Sequence, residues 1–492
     1  MKLISSGPLL QSYFSDSLAL ARQITKPEHR ANPFVNILNT TTKSTQQYPD
    51  LLGKKTMFWR FCHSLTGAGV TLWRALCYAN NKLPFRTPTD SPDVLLISHL
   101  TNQDQLRQDT DVYFGNLAAN LNHVGISTHT LLINHCRAGA SQAKLMQRNK
   151  TTLLPAFRPP IDEIFGILRL MKAAITLPSD DASITNNRFC RLAKAAQFGS
   201  RAIGDFRIGQ MIAEIIAAIQ PRVIIHTFEG HGWERIVAAS AHALPTPAHV
   251  IGYQHAVLFP GKKSIYYDHG GGTVPDYIFT TGDTTRDILV KDIKFFHGQI
   301  SSLGSIKYKS SLPNIDFRAR GTCLFAPEGT LEEVRIMAQL AIDAARLDPA
   351  QVFVLRLHPV INRSDFDSMI AAWPPTPSNF SLSTAPLDND LEAGSWICYR
   401  GSTVAFQGIL SGLRPIYLNP DDSVADNNPV PESVTFQRCA GTPQDLINIL
   451  HKDQNAPKEG CEELPAALKF ASGYFSPFRP DIAVTHIKNC LP

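Results

Sequence analysis

The sequence predicts two α/β domains, each built on a doubly wound, Rossmann-like parallel sheet, that face each other across a cleft. Short apolar runs alternate with amphipathic stretches from about residue 93, and the alternation restarts after the polar, basic stretch 304–321. Strands that alternate with helices in this way build parallel sheets. The chain has 492 residues and a hydrophobic content of 43%, which is enough for two or three domains with sizeable cores.

The first ninety residues carry a weaker pattern. Segment 57–83 has helical spacing with aromatic anchors, whereas 36–50 has the polar composition of a loop. We therefore assign 1–90 to a mostly helical N-terminal extension.

Residues 91–312 are predicted to form the first α/β domain. The strand "DVLLISHL" precedes a helix that includes Val112 and ends at Gly125, and "STHTLLIN" is the next strand. A helix-rich middle part separates this βαβ unit from three further strands, "RVIIHTF", "AHVIGYQHA" and "PDYIFTTG". Each of these strands carries polar residues at its C-terminal end.

Residues 313–470 are predicted to form the second α/β domain, and the tail 471–492 is expected to pack back on the first. Its strands are "TCLFAP", "QVFVLRLHP", "WICYRGS" and "RPIYLN", and a well-patterned helix, "LEEVRIMAQLAIDAARL", follows the first of them. Ligands of doubly wound sheets bind beyond the carboxyl ends of the strands, and ligand sites favour domain interfaces. We therefore expect the functional residues on the loops that follow these strands.

The composition argues against several classes of protein. A net charge of +5 is too small for a nucleic-acid-binding chain, and no run of about 18 apolar residues resembles a membrane span. The N-terminus lacks the apolar core and cleavage site of a secretory signal. Neither a dinucleotide-binding GxGxxG in the right setting nor a phosphate-loop lysine motif is present, which argues against a dehydrogenase or an NTPase.

The cysteines point to a reducing compartment. The nine cysteines are dispersed, without CxxC pairs or histidines at metal-ligand spacing. This distribution is typical of reduced thiols in a cytoplasmic protein. We expect no metal and no cofactor.

Positive charge is concentrated in region 137–207, which has twelve Lys or Arg residues and five acidic residues. Such an excess attracts an anionic membrane surface or a phosphorylated molecule. A solvated helical face is the equally weighted alternative.

A carboxylate and an imidazole, Glu229 and His231, follow the strand "RVIIHTF" and alternate with glycines. A carboxylate near apolar walls can act as a base, with His231 in the same site. The alternative is that Glu229 caps the next helix and His231 packs against Trp233. His255 and Asp283 stand at the ends of the next two strands and are further catalytic candidates, although Asp283 could be an N-cap only.

Phosphate-binding features occur at the strand ends of the second domain. Pro359 places His358 in a turn, where the imidazole can donate to a phosphate oxygen, and Arg356 just before it is a further candidate for binding the nucleotide. Each feature also has a purely structural interpretation, a loop histidine or a plain helix cap. The residues at two helix starts that we expect to line the same anion site are Gly329, Thr330, Gly401, Ser402 and Thr403.

Three short motifs together resemble those of bacterial GT-B sialyltransferases and of the Kdo transferases of capsule and lipopolysaccharide biosynthesis. They are Glu229-Gly230, His358-Pro359 and Ser402-Thr403, and they match the acid-Gly, His-Pro and Ser-Ser/Thr motifs in the same order. "YQHA" and "PDYIFTTGD" are similar to stretches of bacterial surface-polysaccharide transferases. The resemblance covers the order of elements from about 93 to 470. One position departs from it, because Phe228 stands where these enzymes have a first acid.

The resemblance implies a GT-B fold, with an acceptor domain at 91–312 and a nucleotide-sugar domain at 313–470. It implies a donor made of CMP and a ulosonic acid, either Kdo or similar to sialic acid, whose phosphate binds His358, Ser402 and Thr403. Glu229 would be the catalytic base, or Asp283 the nucleophile of a double displacement with Glu229 in support.

The acceptor would be a surface glycan, lipid-linked, made at the inner face of the cytoplasmic membrane, which the protein touches peripherally through 137–207. No nucleic acid is expected as a partner. The alternatives are a teichoic-acid-like CDP-polyol phosphotransferase, a sugar-nucleotide epimerase, and a non-catalytic glycan-binding protein.

Overall fold

A computed structural model describes most of the chain, and its residues fall into two compact units. The N-terminal unit comprises Ser5–His255, Lys262–Ile306 and Pro477–Pro492, and the C-terminal unit is mainly Lys307–Ser476. Parts of the predicted extension 1–90, of the basic region 137–207 and of the linker 304–321 lie outside the described residues. The described ranges are 8–24, 26–36, 54–79, 83–146, 150–177, 187–259, 264–266, 270, 272–293, 296, 298–306, 316–419 and 428–491.

The N-terminal unit contains a seven-stranded parallel sheet with the order β3-β2-β1-β4-β5-β6-β7. Its central strands are apolar and buried on both faces, which is the burial expected of a parallel sheet covered by helices. The strands are β1 Val94–Leu100, β2 Thr128–Asn134, β3 Thr151–Leu153, β4 Val223–Thr227, β5 His249–Gln254, β6 Tyr277–Thr280 and β7 Gln299–Ser302.

Helices cover this sheet and form a separate helical layer in the same unit. Short 3-10 helices at Gln103–Arg107 and Ser264–Tyr266 complete the unit. The α-helices are α1 Pro8–Gln23, α2 Pro27–Arg30, α3 Pro33–Asn36, α4 Lys54–Tyr78, α5 Leu117–His123, α6 Ala140–Ala143, α7 Pro160–Thr176, α8 Asn187–Ala196, α9 Ser200–Ile219, α10 Gly232–His242 and α11 Asp283–Asp292.

The side chains of β1 alternate between the two faces of the sheet and belong to two separate core layers. Leu95 and Ile97 pack with α9 and α10, whereas Val94 and Leu96 pack with α5 on the other face. Neighbouring side chains of a strand point to opposite faces, so this pattern requires helices on both sides of the sheet.

The strand order changes direction between β1 and β4. From β1 the chain adds β2 and β3 on one side, and it then crosses over to add β4 to β7 on the other. The loops that leave the carboxyl ends of β1 and β4 therefore run to opposite sides. Crevices at such topological switch points are the usual ligand sites of open α/β sheets.

The C-terminal unit contains a six-stranded parallel sheet with the order β10-β9-β8-β11-β12-β13 and a switch point between β8 and β11. The strands are β8 Thr322–Phe325, β9 Phe353–Leu355, β10 Phe380–Leu382, β11 Gly394–Tyr399, β12 Arg414–Leu418 and β13 Arg438–Ala440. The helices are α12 Leu331–Leu347, α13 Arg363–Ile370, α14 Leu387–Ala393, α15 Val404–Leu410, α16 Pro443–Asn455 and α17 Pro457–Tyr474. The predicted fold class, two doubly wound, Rossmann-like α/β sheets, is confirmed.

The last helix, α18 Pro480–Cys490, packs on the N-terminal unit. Its Ala483 and Ile487 are fully buried in the same core as Leu117 and Leu121 of α5. The Arg479 N–H donates to the Leu303 carbonyl, 2.8 Å away, just before the helix begins. The chain thus passes through the C-terminal unit and ends in the core of the N-terminal unit.

Among the described helices, none combines the length and the hydropathy required to cross a membrane.

Candidate active site

Polar side chains cluster at the switch point of the N-terminal sheet. His99, near the end of β1, places Nε2 2.7 Å from Oγ1 of Thr227 at the end of β4. The other ring nitrogen, Nδ1, lies 2.8 Å from Nε2 of His135, which follows β2. One imidazole therefore connects the ends of three adjacent strands at the position where such sheets bind ligands.

The Glu229 carboxylate lies between two histidines. Its Oε2 is 3.4 Å from Nε2 of His231, and its Oε1 is 3.6 Å from Nε2 of His255. The Tyr113 ring packs edge-on against His255, with centroids 4.5 Å apart. Three of the sequence-predicted residues, Glu229, His231 and His255, are thus brought together, and the Glu229 side chain keeps 23% of its surface exposed.

The loop after β4 is held by a different carboxylate, that of Glu234. Glu234 is buried and accepts the backbone N–H groups of Glu229, Gly230 and His231 at distances of 2.6 to 3.1 Å. Gly230 has φ +84°, and an added Cβ there would overlap Ser264, so this turn requires glycine. Glu234 caps α10, which leaves the Glu229 side chain available to the histidines.

Trp233 contributes an apolar wall to the cluster. Its ring packs edge-on against His99 at 5.7 Å and against His226 at 5.8 Å. The structural alternative that the sequence allows is that Glu229 caps the helix and His231 packs on Trp233. In the structure, Glu234 caps α10 and Trp233 packs against His99.

The electrostatics assign different charges to the histidines. Burial lowers the pKa of His231, but its hydrogen bond to Glu229 and the charges of Glu234, Glu229 and Asp205 outweigh burial and raise that pKa to about 9. Burial, together with the neighbouring histidines, lowers the pKa of His99 well below its usual value, although Glu229 opposes this. At neutral pH the cluster therefore contains an imidazolium at His231 and a neutral imidazole at His99.

Tyr113 remains protonated in this setting. Burial and then the negative charges of Glu229 and Asp111 raise the pKa of its hydroxyl to about 12. The phenol can therefore donate a hydrogen bond, but it does not supply a base at neutral pH.

Four members of the cluster were not among the sequence-predicted site residues: His99, His135, Tyr113 and Glu234. His99 and His135 carry a signal that sequence could have used, because each stands at the end of an apolar strand, in "LLISHL" and "LLINH". Tyr113 and Glu234 carry none, since a tyrosine in a loop and a glutamate in a first helical turn are common.

A cavity of about 210 Å³ adjoins the cluster and shares His135 with it. Three arginines from three different elements line it: Arg74 of α4, Arg137 after β2 and Arg207 of α9. Arg207 is partly neutralised by Glu163, 3.0 Å away, and its guanidinium stacks on Phe157. The remaining positive charge suits an anionic group such as a phosphate or a carboxylate.

Asp283, the other predicted catalytic residue of this unit, lies at the first position of α11, beyond β6. Its Oδ1 is 2.7 Å from Nη1 of Arg286, and 59% of its side chain is exposed. Among the contacts of the described residues, none joins Asp283 to Glu229 or its histidines. One strand, β5, lies between β4 and β6 in the sheet.

The loops at the switch point of the C-terminal sheet come together around two glycines. An added Cβ at Gly401, after β11, would overlap the Glu328 carboxylate, which belongs to the loop after β8. An added Cβ at Gly329 would lie 3.0 Å from Nδ1 of His358, after β9. The structure thus brings the predicted residues Gly329, His358 and Gly401 into one site, together with Glu328.

The turn after β9 has the geometry expected of the His-Pro pair. Pro359 follows His358, and the His358 carbonyl accepts the Ile361 N–H at 2.9 Å to close the turn. Arg356 has another partner: its Nη1 lies 2.7 Å from Oδ2 of Asp390 and also donates to the Ala385 carbonyl. This guanidinium therefore ties β9 to α14.

The hydroxyl residues of this site have local partners. Thr330 is the N-cap of α12 and accepts the Glu333 N–H. Ser402 is buried, and its Oγ accepts the Val404 N–H at 3.4 Å, while Thr403 is the N-cap of the seven-residue α15 without a side-chain capping bond.

A buried ion pair sets the charge of this second site. Arg400 Nε lies 3.0 Å from Oε1 of Glu333. Burial raises the pKa of Glu333 to about 7, against the pull of Arg400 and with a further increase from Glu328. An anion bound here would be favoured by Arg400 and opposed by the two glutamates.

Within the described part of the chain, one group of side chains has the spacing of metal ligands: His249, His486 and Cys490. It lies at the start of β5, the end of that strand opposite His255, and the His486 ring stacks on Tyr277 with centroids 3.7 Å apart. It is therefore separate from the Glu229 cluster.

Comparison with known proteins gives similar solved structures only, since neither a protein-family model nor a curated protein matches the chain. One similar structure is the glycosyltransferase SnogD from Streptomyces nogalater, with 14% identity and a TM-score of 0.42, covering 81% of this chain and 99% of that one. A second is a UDP-GlcNAc 2-epimerase from Neisseria meningitidis bound to UDP-GlcNAc, with 11% identity, a TM-score of 0.44, and coverage of 81% and 99%. A third is MnaA from S. aureus with UDP, with 10% identity, a TM-score of 0.47, and coverage of 81% and 97%. Likeness at this level carries no argument about the reaction of this chain.

Proposed function

We propose that the protein is a GT-B glycosyltransferase that moves a sugar from a nucleotide-activated donor to a glycan acceptor. The observation that carries the proposal is the Glu229 carboxylate held between His231 and His255 at the switch point of the N-terminal sheet. A carboxylate paired with an imidazole is a common arrangement for removing a proton from a hydroxyl. The loops around His358, Gly329 and Gly401 are the proposed binding site of the donor nucleotide.

The proposed donor is a CMP-activated ulosonic acid, Kdo or similar to sialic acid, and its support is the motif resemblance of Glu229-Gly230, His358-Pro359 and Ser402-Thr403. In this proposal, His358 and Ser402 donate to the CMP phosphate. Glu328 lies beside them and would contact hydroxyl groups of the donor, because a carboxylate is a poor neighbour for a phosphate but a good acceptor from a hydroxyl.

In the proposed reaction, an acceptor hydroxyl attacks the anomeric carbon of the donor. The proton of that hydroxyl passes to Glu229 or to His255 beside it. The bond between the anomeric carbon and the phosphate oxygen breaks, and CMP leaves with the electron pair. The imidazolium of His231 balances the charge of Glu229, and donors at the nucleotide site stabilise the departing phosphate.

A double displacement through Asp283 is the alternative mechanism. It requires Asp283 to give up its ion pair with Arg286 before it can attack the donor. The contacts of Glu229 with two histidines favour Glu229 as the first residue to test.

The acceptor is proposed to be a lipid-linked surface glycan. The arginine-lined cavity beside His135 is the proposed site for an anionic group of this acceptor, and the positive charge of Arg74 and Arg137 supports that assignment. A peripheral contact between the basic region 137–207 and an anionic membrane belongs to the same proposal.

The first test is binding of CMP, followed by donor turnover. CMP should raise the melting temperature of the protein, since a ligand that binds only the folded state stabilises it by about 2.7 kcal/mol at a hundred times its Kd. His358→Ala should abolish that increase, whereas Glu229→Gln should retain it. Release of nucleotide from CMP-Kdo, CMP-sialic acid, CDP-glycerol and UDP-GlcNAc then identifies the donor.

The catalytic assignment is tested by transfer rates. Glu229→Gln should lower the rate by roughly 10²- to 10⁴-fold, the usual contribution of a general base. Asp287→Asn, which also removes a carboxylate partner of Arg286, is the matched control for Asp283→Asn. If Glu229→Gln and Asp283→Asn both transfer at near-normal rates, the assignment is wrong. If no donor turns over and CMP does not bind, the protein is a non-catalytic binding protein instead.

A further inference from the structure

In helix α4, most buried side chains are small and most large apolar side chains are exposed, which reverses the usual distribution. Among its described side chains, four of the five buried positions carry small residues, Ser64, Ala68, Thr71 and Ala75, at spacings of three or four along one face, and the fifth is Tyr78 at the end of the helix. A surface helix of a soluble domain normally buries its large apolar residues and exposes polar ones. Here the small face lies against the protein, and Ala68 packs into a core with α7 and α9.

The large apolar side chains of α4 face outward. Trp59 is 70% exposed, and Phe58 and Trp73 are each 67% exposed. The other exposed apolar side chains of this helix are Phe61, Leu65, Val70 and Leu76. Exposed tryptophans in this number are unusual for a surface in contact with water only.

The neighbouring helix α7 continues the pattern. It packs against α4 and buries Ile167 and Leu170, yet Ile175 is 80% and Phe165 58% exposed. Its other exposed apolar side chains are Ile161, Ile164, Leu168 and Met171. We call the exposed apolar side chains of α4 and α7 the apolar face.

The apolar face is a local feature of the molecule. Among the described residues, thirteen of the twenty-one exposed large apolar side chains belong to these two helices, which have 25 and 17 residues. Single exposed apolar residues need no explanation, but a concentration on adjacent helices marks an interaction surface.

The charges around the apolar face are positive. Arg60 and Arg74 are arginines of α4, and the sequence of this helix contains no acidic residue. The acids of α7 are engaged in ion pairs, since Asp162 lies 3.9 Å from Arg158 and Glu163 lies 3.0 Å from Arg207. A partner with an apolar interior and an anionic surface would match both properties.

We infer that the apolar face docks on an anionic lipid bilayer, with the aromatic and aliphatic side chains of α4 and α7 inserted at the level of the headgroups. This inference rests on the membrane contact of the proposed function and deepens it, because it places that contact on α4 and α7 rather than on the basic region 137–207 as a whole. Vesicle binding and sugar transfer are measured separately, so a failure of one is distinguishable from a failure of the other. Tryptophan and phenylalanine favour this interface, and basic side chains beside them reach anionic headgroups.

A second copy of the chain fits the apolar face less well than a bilayer. In a two-fold dimer, α4 of one copy would lie against α4 or α7 of the other copy. Because α4 contains no acidic residue, the basic residues of one α4 would have no acidic partner on the other α4. An anionic bilayer supplies the missing negative charge.

The test is binding of the full-length protein to vesicles. The protein should sediment with vesicles of phosphatidylcholine and phosphatidylglycerol, and less with phosphatidylcholine alone. Added salt should weaken binding without abolishing it, because screening removes the electrostatic part but leaves the apolar insertion.

Tryptophan fluorescence reports insertion directly. The sequence has five tryptophans, of which Trp233 and Trp396 are buried and Trp373 is half-buried in the C-terminal unit. A blue shift on vesicle binding should therefore come mainly from the exposed Trp59 and Trp73. Trp59→Phe with Trp73→Phe should remove the shift while binding persists. Trp59→Ser with Trp73→Ser should lower the partition coefficient by at least tenfold for each lost side chain.

The matched control is Leu347→Ser with Val352→Ser, which removes two exposed apolar side chains from the C-terminal unit. It should bind vesicles like the unaltered protein, and all variants should keep their melting temperature because the altered positions are exposed. If the protein ignores both kinds of vesicle, the inference is overturned. A dimer that Trp59→Ser with Trp73→Ser dissociates, without vesicle binding, would instead identify the apolar face as a subunit interface.

Discussion

Glu229, in the loop after β4, and Glu234, in the first turn of α10, have different roles because their surroundings differ. Glu234 is buried and accepts three backbone N–H groups, so its carboxylate determines the shape of the loop. Glu229 is partly exposed and contacts His231 and His255, so its carboxylate remains available for chemistry. Phe228, at the position of the missing first acid, is buried beside His226. The residue types alone do not distinguish these roles.

The raised pKa of His231 predicts how stability depends on pH. In the folded protein His231 holds its proton up to about pH 9, whereas the unfolded chain releases it near pH 6.5. The folded state therefore binds more protons between these values, and the free energy of unfolding should fall as the pH rises from 7 to 9.

This dependence is measured by urea unfolding at several pH values. His231→Gln should flatten the slope between pH 7 and 9, whereas His451→Gln, which alters an exposed histidine of the C-terminal unit, should leave it unchanged. An equal slope in the unaltered protein and in His231→Gln would contradict the assigned charge.

At the scale of elements, the sequence predicted the nine inner strands but not the four short edge strands β3, β7, β10 and β13, and it misplaced the start of one helix. Gly125 ends α5 with φ +83°, as predicted, but the helix begins at Leu117 rather than before Val112. Asp111 and Gly115 form an antiparallel bridge, and the Asp111 carboxylate accepts the Tyr113 and Phe114 N–H groups. A side chain that competes for backbone donors thus replaces the first helical turn, and hydrophobic spacing does not show such competition.

Strand β12 is joined to two helices by one buried arginine. Arg414 is fully buried, and its guanidinium lies 2.8 Å from Asp453 of α16 and 2.8 Å from Glu463 of α17. It also lies over the rings of Phe317 and Phe436. This arginine connects the sheet to the helices that cover its edge.

Removing this guanidinium should be costly. Arg414→Met leaves Asp453 buried without its charge partner, which we expect to lower the free energy of unfolding by about 3–5 kcal/mol. Denaturant unfolding of the full chain measures the change. Arg346→Met, which breaks an exposed pair with Asp343, is the control and should cost less than about 1 kcal/mol. Equal effects of the two substitutions would show that the buried network does not stabilise the unit.

At the scale of the whole molecule, the N-terminal unit is assembled from segments that lie far apart in the sequence. Helix α18 belongs to the N-terminal unit, although 477–492 follow the C-terminal unit in sequence. Ile487 is fully buried in a core with Leu117 and Leu121, and this burial couples the chain end to the sheet. The stability of the N-terminal unit therefore depends on the last residues of the chain.

Ile487→Ala tests this coupling. Loss of the buried side chain should cost about 2–5 kcal/mol. In calorimetry, the transition of the N-terminal unit should move to a lower temperature, and that of the C-terminal unit should stay in place. Val484→Ala, at a partly buried position of the same helix, should have a smaller effect. A shift confined to the C-terminal transition would contradict the described packing.

Sequence by itself determined the fold class and the strand ends that carry the candidate site residues. Apolar runs of strand length that alternate with amphipathic helices leave few architectures other than two parallel α/β sheets, and the polar residues after each strand follow from that pattern. Glu229, His231, His255, His358, Gly329 and Gly401 were found in this way.

Only the tertiary structure decided which of these residues meet. The order of strands places β4 between β1 and β5, so His99 of β1 meets Thr227 of β4, and Glu229 after β4 meets His255 after β5. Asp283 and Arg356 have ion-pair partners elsewhere. The same is true of the apolar face, because helical spacing predicts an apolar stripe but not which side of the helix the protein covers. Side-chain contacts between distant segments depend on strand order and packing, and local periodicity contains neither.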